Sequence, residues 1–284
     1  MNLPNFQSLV AAYNKALRKL FAGKTGAEIG AEWLKPSGSL FWNAEPENDP
    51  KFQAMAYRLA YRMSKLVAAE NMKSWRQAAM KSTRAKEIYR ALQEEIRRTG
   101  LQPELQVIAA RNAKLIRSVP REIAQHLTQK AVTLHQEGKR DKEIVAELKR
   151  LAPHLTRSKM RLISRTEIAR AGTDLDKLRA ENLGLEWAVW STSEDQRVRP
   201  SHRNLDGVLM NWNDPPQPES LIGEKSTLGR GFGGQFPNCR CSMLSLANLD
   251  EIKWPTRLYR NGAITRVTRA QFVRLLPAGQ LIAA

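Results

Sequence analysis

Residues 185–202 read Leu-Glu-Trp-Ala-Val-Trp-Ser-Thr-Ser-Glu-Asp-Gln-Arg-Val-Arg-Pro-Ser-His, and they mark the point where the chain changes character. The first eight of these residues alternate with the period of two that is typical of a β-strand. The residues that follow are mostly charged or polar. Upstream of Gly184 the chain instead has the apolar spacing of helices. The sequence therefore predicts an α+β protein, helical first and mixed afterwards.

The helical part is predicted to be long and interrupted by its prolines and glycines. The predicted helices cover residues 6–20, 50–98, 103–116, 120–136, 141–151 and a last stretch from Thr156 or Ser158 to 182. A helix over 50–98 would exceed about 70 Å at 1.5 Å per residue. We therefore expect either one continuous helix or a break near Asn71 or Ser82.

The part after Gly184 is predicted to be small and rich in loops. Short strands are expected over 185–192, 208–212 and 240–246, and Asn261-Gly262 between alternating residues predicts a hairpin. A stretch of about 25 residues rich in Pro and Gly separates the second strand from the third, and a loop of that length is usually functional or mobile. The tryptophans here either fill the core or stack on nucleic-acid bases. They are Trp187, Trp190, Trp212 and Trp254.

The charge of the chain is high and unevenly placed. The net charge is +18, and the sequence pI is about 10.2. Residues 73–165 hold 22 Lys and Arg against 9 Asp and Glu, and residues 251–284 hold 6 against 1. A surface of this kind attracts polyanions, so it predicts either proximity to nucleic acid or a match to an acidic protein partner.

Cysteine usage and hydropathy limit the class of protein. Two cysteines in 284 residues cannot form a disulfide framework, which fits synthesis in a reducing cytoplasm. The mean hydropathy is −0.49, and no apolar run approaches the roughly 20 residues of a membrane span. We therefore expect no membrane partner.

Most of the residues that carry site-like chemistry lie between 165 and 241. Pairs of guanidinium and carboxylate groups would lock a loop-rich fold together. The residues concerned are Glu167, Asp195, Arg197, Arg199, His202, Asp206 and Arg240. A catalytic set is the rival interpretation, but no nucleophile elbow or repeated metal-ligand motif accompanies it, so we predict no enzymatic activity and no catalytic residue.

The Cys-x-Cys pair suggests a second theme. Cys239 and Cys241 point to the same face of an extended segment, and His202 could converge on them, with Asp195, Glu194 or water as a fourth ligand. This set would form a zinc-like site. The alternative is that both cysteines are small buried residues and that His202 hydrogen-bonds a carboxylate.

The ordered motifs resemble one family. Four motifs follow one another in the order found in the phage Mu F-like minor head (head morphogenesis) proteins. They are Arg165-Thr166-Glu167, a strand with Trp190, the element Asp195-Gln196-Arg197-Val198-Arg199-Pro200-Ser201-His202, and Asn238-Cys239-Arg240-Cys241. The resemblance covers roughly residues 110–246. It divides the chain into a helical N-terminal region (1–110), a Mu F-like head morphogenesis domain (111–250) and a basic C-terminal tail with the hairpin (251–284).

The resemblance implies a minor head protein of a tailed double-stranded DNA phage or prophage. Such a protein acts in head assembly near the portal and lies inside the virion. The portal protein is then the expected partner, together with scaffold or major capsid protein, and packaged DNA would lie against the basic helices. The alternatives are a metal-dependent nuclease or toxin-like enzyme built on the same His and Cys residues, and a basic DNA-binding protein of the host.

Overall fold

The computed structural model describes residues 6–21, 48–80, 84–97 and 101–276. Seven α-helices and five strands are found in these ranges. The helices are α1 (Gln7–Phe21), α2 (Pro50–Ala79), α3 (Ala85–Arg97), α4 (Gln102–Gln136), α5 (Asp141–Asn182), α6 (Pro200–Arg203) and α7 (Arg269–Val273), and the strands are β1 (Trp187–Ser191), β2 (Leu209–Asn211), β3 (Ser242–Ser245), β4 (Thr256–Arg260) and β5 (Ala263–Val267). The predicted α+β class is confirmed. Among the described helices, none combines the length and the apolar character that a membrane span requires.

Two helices are longer than the sequence predicted, and each contains a proline. Helix α4 runs through Pro120, so the predicted separate helices over 103–116 and 120–136 are wrong. The buried side chains Ile116, Val119 and Ile123 keep the spacing of three and four residues across the proline. A proline inside a helix costs about 3 kcal/mol, whereas burying one such side chain contributes about 1.5–3 kcal/mol. The continuous apolar face therefore outweighs the proline.

Helix α5 shows the same correction at Pro153. The predicted helices over 141–151 and from Thr156 or Ser158 are one helix. Thr156, which we expected to cap a new helix, lies inside α5, and its hydroxyl donates to the Ala152 carbonyl oxygen at 2.9 Å. Ala152, Thr156 and Met160 are buried at helical spacing on both sides of the proline. The helix ends at Asn182 ahead of Gly184, as predicted.

The predicted helix over 50–98 is divided. Helix α2 ends at Ala79 and α3 begins at Ala85. Ser82, one of the two expected break points, lies outside the described residues. Asn71, the other, is inside α2 and completely buried, so no break occurs there.

The chain forms two compact units. Unit 1 comprises Met1–Phe6, Leu66–Gln102 and Arg165–Ala284, and unit 2 comprises Gln7–Lys65 and Pro103–Ser164. The domain boundaries predicted at residues 110 and 250 stay predictions, since neither unit is known to fold alone. Inside unit 2, Asn112 donates to the Tyr13 hydroxyl at 2.8 Å, and the rings of Phe21 and Phe52 pack edge to face at 5.9 Å.

Unit 1 holds one five-stranded sheet with the order β3-β1-β2-β4-β5. Strand β1 pairs antiparallel with both β2 and β3, while β2 pairs parallel with β4. The predicted hairpin is confirmed as β4 and β5, and Asn261 and Gly262 both have positive φ at its turn. The hairpin therefore belongs to the same sheet as the three strands predicted upstream.

Unit 1 also contains a buried polar network between helices α2, α3 and α5. Asp176 accepts hydrogen bonds at 2.8 Å from the Asn71 amide and from the Trp75 indole. Arg179, only 2% exposed, donates to both carboxylate oxygens of Glu95 at 2.7 and 2.9 Å. Burial raises the pKa of Asp176 to about 6, against the hydrogen bonds and the Arg179 charge that lower it. This network was not predicted from the sequence.

Candidate functional site

The end of β1 and the turn before β2 are joined through one carboxylate. Asp206 accepts hydrogen bonds from the backbone N–H of Thr192 at 2.7 Å and from its hydroxyl at 2.9 Å. Arg257 of β4 donates to the carbonyl oxygens of Asn204 and Asp206. Asp206 was predicted to pair with an arginine side chain. It instead accepts from Thr192, and the arginine in contact with this turn binds carbonyl groups.

The loop after β1 carries two side-chain ion pairs of the predicted kind, both at Asp195. Arg240 donates to Asp195 at 2.6 Å through one guanidinium nitrogen and contacts the second carboxylate oxygen through another. Arg197 lies 3.4 Å from the same carboxylate. The hydrogen bond from Arg240 holds the pKa of Asp195 at about 2. Both partners are more than one-third exposed, so this pair positions the loop and adds little stability.

The backbone of Pro237 and Asn238, just before the two cysteines, is hydrogen-bonded to side chains of other segments. Arg199 donates to the Pro237 carbonyl oxygen at 2.7 Å, and the Asn238 N–H donates to the Thr166 hydroxyl at 3.0 Å. Thr166 and the almost fully buried Glu167 both lie on α5. The Arg-Thr-Glu and Asn-Cys-Arg-Cys elements are therefore adjacent in space.

His202, Cys239 and Cys241 form a buried group, here called the Cys–His cluster. Their ligand atoms all lie within 4.8 Å of one another. The His202 Nδ1 atom lies 3.4 Å from the Cys239 sulfur and 3.6 Å from the Cys241 sulfur. The prediction that these three residues converge agrees with this geometry. The Asp195 carboxylate is not part of the group, because Arg240 and Arg197 hold it.

Packing fixes the orientation of the His202 ring. It lies in the short helix α6, with Pro200 in the first turn, and is 1% exposed. The rings of Trp190 and Phe236 contact it edge to face at centroid distances of 5.2 and 5.0 Å. Its Nε2 atom has no hydrogen-bond partner among the described residues. The ring therefore presents Nδ1 to two sulfur atoms, rather than to the carboxylate of the alternative prediction.

The two cysteines alternate with an exposed arginine, as expected for an extended segment. Cys239 and Cys241 are buried and Arg240 is exposed, so the sulfurs share one face. The Gly234 N–H donates to the Cys239 sulfur at 3.3 Å. The hydrogen bond from Cys241 and the facing His202 ring lower the pKa of the Cys239 thiol. The same bond and burial raise the pKa of Cys241.

The Gly-rich part of the long loop packs directly on α5. The Thr173 hydroxyl donates to the Gly233 carbonyl oxygen at 2.7 Å, and Gln235 donates to Asp174 at 2.8 Å. A Cβ atom at Gly234 would lie 2.4 Å from the Thr173 oxygen. Thr173 and Asp174 were not singled out from the sequence, although they follow the Arg-Thr-Glu element by about two helical turns.

These features define a small α+β domain in which a helix, a short sheet and a long loop enclose a buried Cys–His cluster. Residues 121–244 match the family described as Phage Mu protein F like protein. The match confirms the resemblance that the motifs predicted, and residues 121–244 are below called the Mu F-like region.

A protein of Haemophilus influenzae, described as an uncharacterized protein, is similar to part of the chain. The two are 25% identical over 148 residues, which is 52% of this chain and 30% of the relative. The chain thus spans less than a third of the length of the relative it matches. No solved structure matches the chain.

Proposed function

We propose that this protein is a minor head protein of a tailed double-stranded DNA phage or prophage, and that it acts in head morphogenesis near the portal. The observation that carries this proposal is the family match over residues 121–244, which contains all four ordered motifs from Arg165 to Cys241. The protein acts by binding and positioning, not by catalysis. Its place is the interior of the virion, after synthesis in the cytoplasm of the bacterial host.

The proposed partners are the portal protein and, beside it, scaffold or major capsid protein. This assignment rests on the family, in which a position near the portal is expected. The Mu F-like region supplies the rigid part of such a contact, because hydrogen bonds donated by Arg199 and Thr173 and one accepted by Thr166 hold its loops in place. Preformed loops lose little conformational entropy on binding.

Packaged double-stranded DNA is the second proposed partner. Helix α5 carries an exposed basic stripe, defined as Arg150, His154, Arg157 and Arg161. Steps of four, three and four residues place these side chains on one face of the helix, over about 16 Å at 1.5 Å per residue. Arg150 is paired with Glu147, while the net charge of residues 73–165 remains +13. Guanidinium groups in such a row suit the phosphates of a nucleic-acid backbone.

Quantitative mass spectrometry of purified virions and of DNA-free proheads from the source phage tests the proposal. We expect a few copies of this protein per head in both particles, counted against portal peptides as the internal standard. A non-structural phage protein serves as the control for carry-over. Absence from both particles would contradict the proposal and favour the nuclease alternative, which predicts release of nucleotides from DNA that His202→Ala abolishes.

A further inference from the structure

We propose that the Cys–His cluster binds one zinc ion, which joins α6 to the segment of residues 239–241 just before β3. This site is separate from the proposed role in head assembly, which requires no metal. The ligands are Nδ1 of His202 and the sulfurs of Cys239 and Cys241.

The distances inside the cluster match the edges of a zinc coordination sphere. Zinc–sulfur bonds of about 2.3 Å and zinc–nitrogen bonds of about 2.0–2.1 Å at tetrahedral angles place a sulfur and a nitrogen ligand roughly 3.6 Å apart. The two sulfur–nitrogen distances are 3.4 and 3.6 Å. Both sulfurs face the same ring nitrogen, so one ion can reach all three atoms.

The surroundings of the ligands are those of a thiolate-bound metal. The Gly234 N–H donates to the Cys239 sulfur, and such bonds stabilise a metal-bound thiolate. The ring of His202 is fixed by Trp190 and Phe236, so its nitrogen is oriented before any metal binds. Two thiolates and one divalent cation have no net charge together, so the free-energy cost of burying them is low.

We assign the fourth coordination position of the zinc to a water molecule. We assign the metal a structural role. No other described His, Cys, Asp or Glu places a ligand atom in the group, and Arg240 holds the nearby Asp195 carboxylate away from it. The three ligands are only 1%, 5% and 6% exposed, which leaves little access for a substrate. The metal thus ties α6 to the segment that leads into β3.

Metal content and cobalt spectroscopy of the full chain test this proposal. The protein is purified without a metal-binding tag from zinc-supplemented cells, and its metal is measured by mass spectrometry. We expect about one zinc per chain. After exchange with Co²⁺, we expect thiolate-to-cobalt charge-transfer absorption and the visible bands of tetrahedral cobalt. Zinc far below one per chain, or cobalt binding without the charge-transfer band, would overturn the proposal.

Single substitutions then identify the ligands. Cys239→Ser, Cys241→Ser and His202→Ala should each lower zinc affinity at least tenfold. His135→Ala, at an exposed histidine of α4, is the matched control and should keep the metal. Should a ligand variant fail to fold, chelation of the wild-type protein decides instead: its Tm should fall and should recover when zinc is added back. An unchanged Tm after complete removal of zinc would contradict the structural role.

Discussion

Gly234 is a position in the long loop where the packing leaves no room for a larger side chain. Its φ of +92° is in the left-handed region, and an added Cβ would meet the Thr173 oxygen at 2.4 Å, which displaces the hydroxyl that binds the loop. We expect Gly234→Ala to destabilise unit 1 by about 2–4 kcal/mol, from backbone strain of about 1–2 kcal/mol and from a broken buried hydrogen bond. Denaturant unfolding followed by tryptophan fluorescence measures the change.

Gly223 offers the matched control for this prediction. Its φ of +77° imposes the same kind of backbone strain, but nothing lies within 4 Å of a Cβ added there. Gly223→Ala should therefore cost only the strain. Equal losses in free energy of unfolding for the two variants would show that the contact with Thr173 contributes nothing.

For individual residues, the sequence predicted which side chains lie close together more accurately than it predicted their hydrogen-bond partners. His202, Cys239 and Cys241 lie together as expected, because a spacing of two on an extended segment fixes the direction of both sulfurs. Asp206 was assigned to the wrong kind of partner. Its acceptors are used by Thr192, fourteen residues away, and no local pattern encodes a contact that depends on the pairing of β1 with the turn before β2.

At the scale of elements, strands and turns were predictable and helix lengths were not. Alternation and the Asn261-Gly262 turn are local signals, and the strands that they predicted are present. Pro120 and Pro153 are also local signals, yet both lie inside helices. The energy that keeps α4 and α5 continuous comes from side chains buried against other elements. The sequence of one helix does not show which side chains of other elements pack against it, so it cannot predict whether that packing exceeds the cost of a proline.

The helices of unit 1 meet at Asp176, whose titration makes their packing depend on pH. Its pKa is about 6 in the folded state, against about 3.9 in an unfolded chain, so only the folded state holds the proton between these values. The stability from this group is complete below about pH 4 and is lost as the pH rises through 6. The difference of about two pKa units corresponds to about 3 kcal/mol.

Asp176→Asn tests this pH dependence. The amide oxygen can still accept the hydrogen bonds of Asn71 and Trp75, while the buried charge is removed. We expect a smaller fall in the free energy of unfolding between pH 4.5 and 7.5, and a more stable protein at pH 7.5. Glu181→Gln, at an exposed position of the same helix, should leave the profile unchanged. A steeper decline in Asp176→Asn would show that the carboxylate charge stabilises the fold through Arg179.

At the scale of the whole molecule, DNA binding driven by net charge can be distinguished from DNA binding at a particular face. A net charge of +18 attracts DNA wherever the basic residues lie, whereas a docking face requires particular ones. We expect Arg157→Glu with Arg161→Glu to weaken binding to duplex DNA at least tenfold. Loss of two phosphate contacts should also lower the slope of log K against log salt concentration by about 2. Fluorescence anisotropy on duplexes of unrelated sequence, across a salt series, measures both quantities.

Lys86→Glu with Arg90→Glu on α3 makes the same change in net charge at other exposed positions and is the matched control. A face on α5 predicts that this control keeps most of the affinity and the full salt slope, because Lys86 and Arg90 are not part of that face. Equal weakening by both pairs would mean that DNA responds to net charge alone. The basic stripe would then have no role of its own in binding DNA.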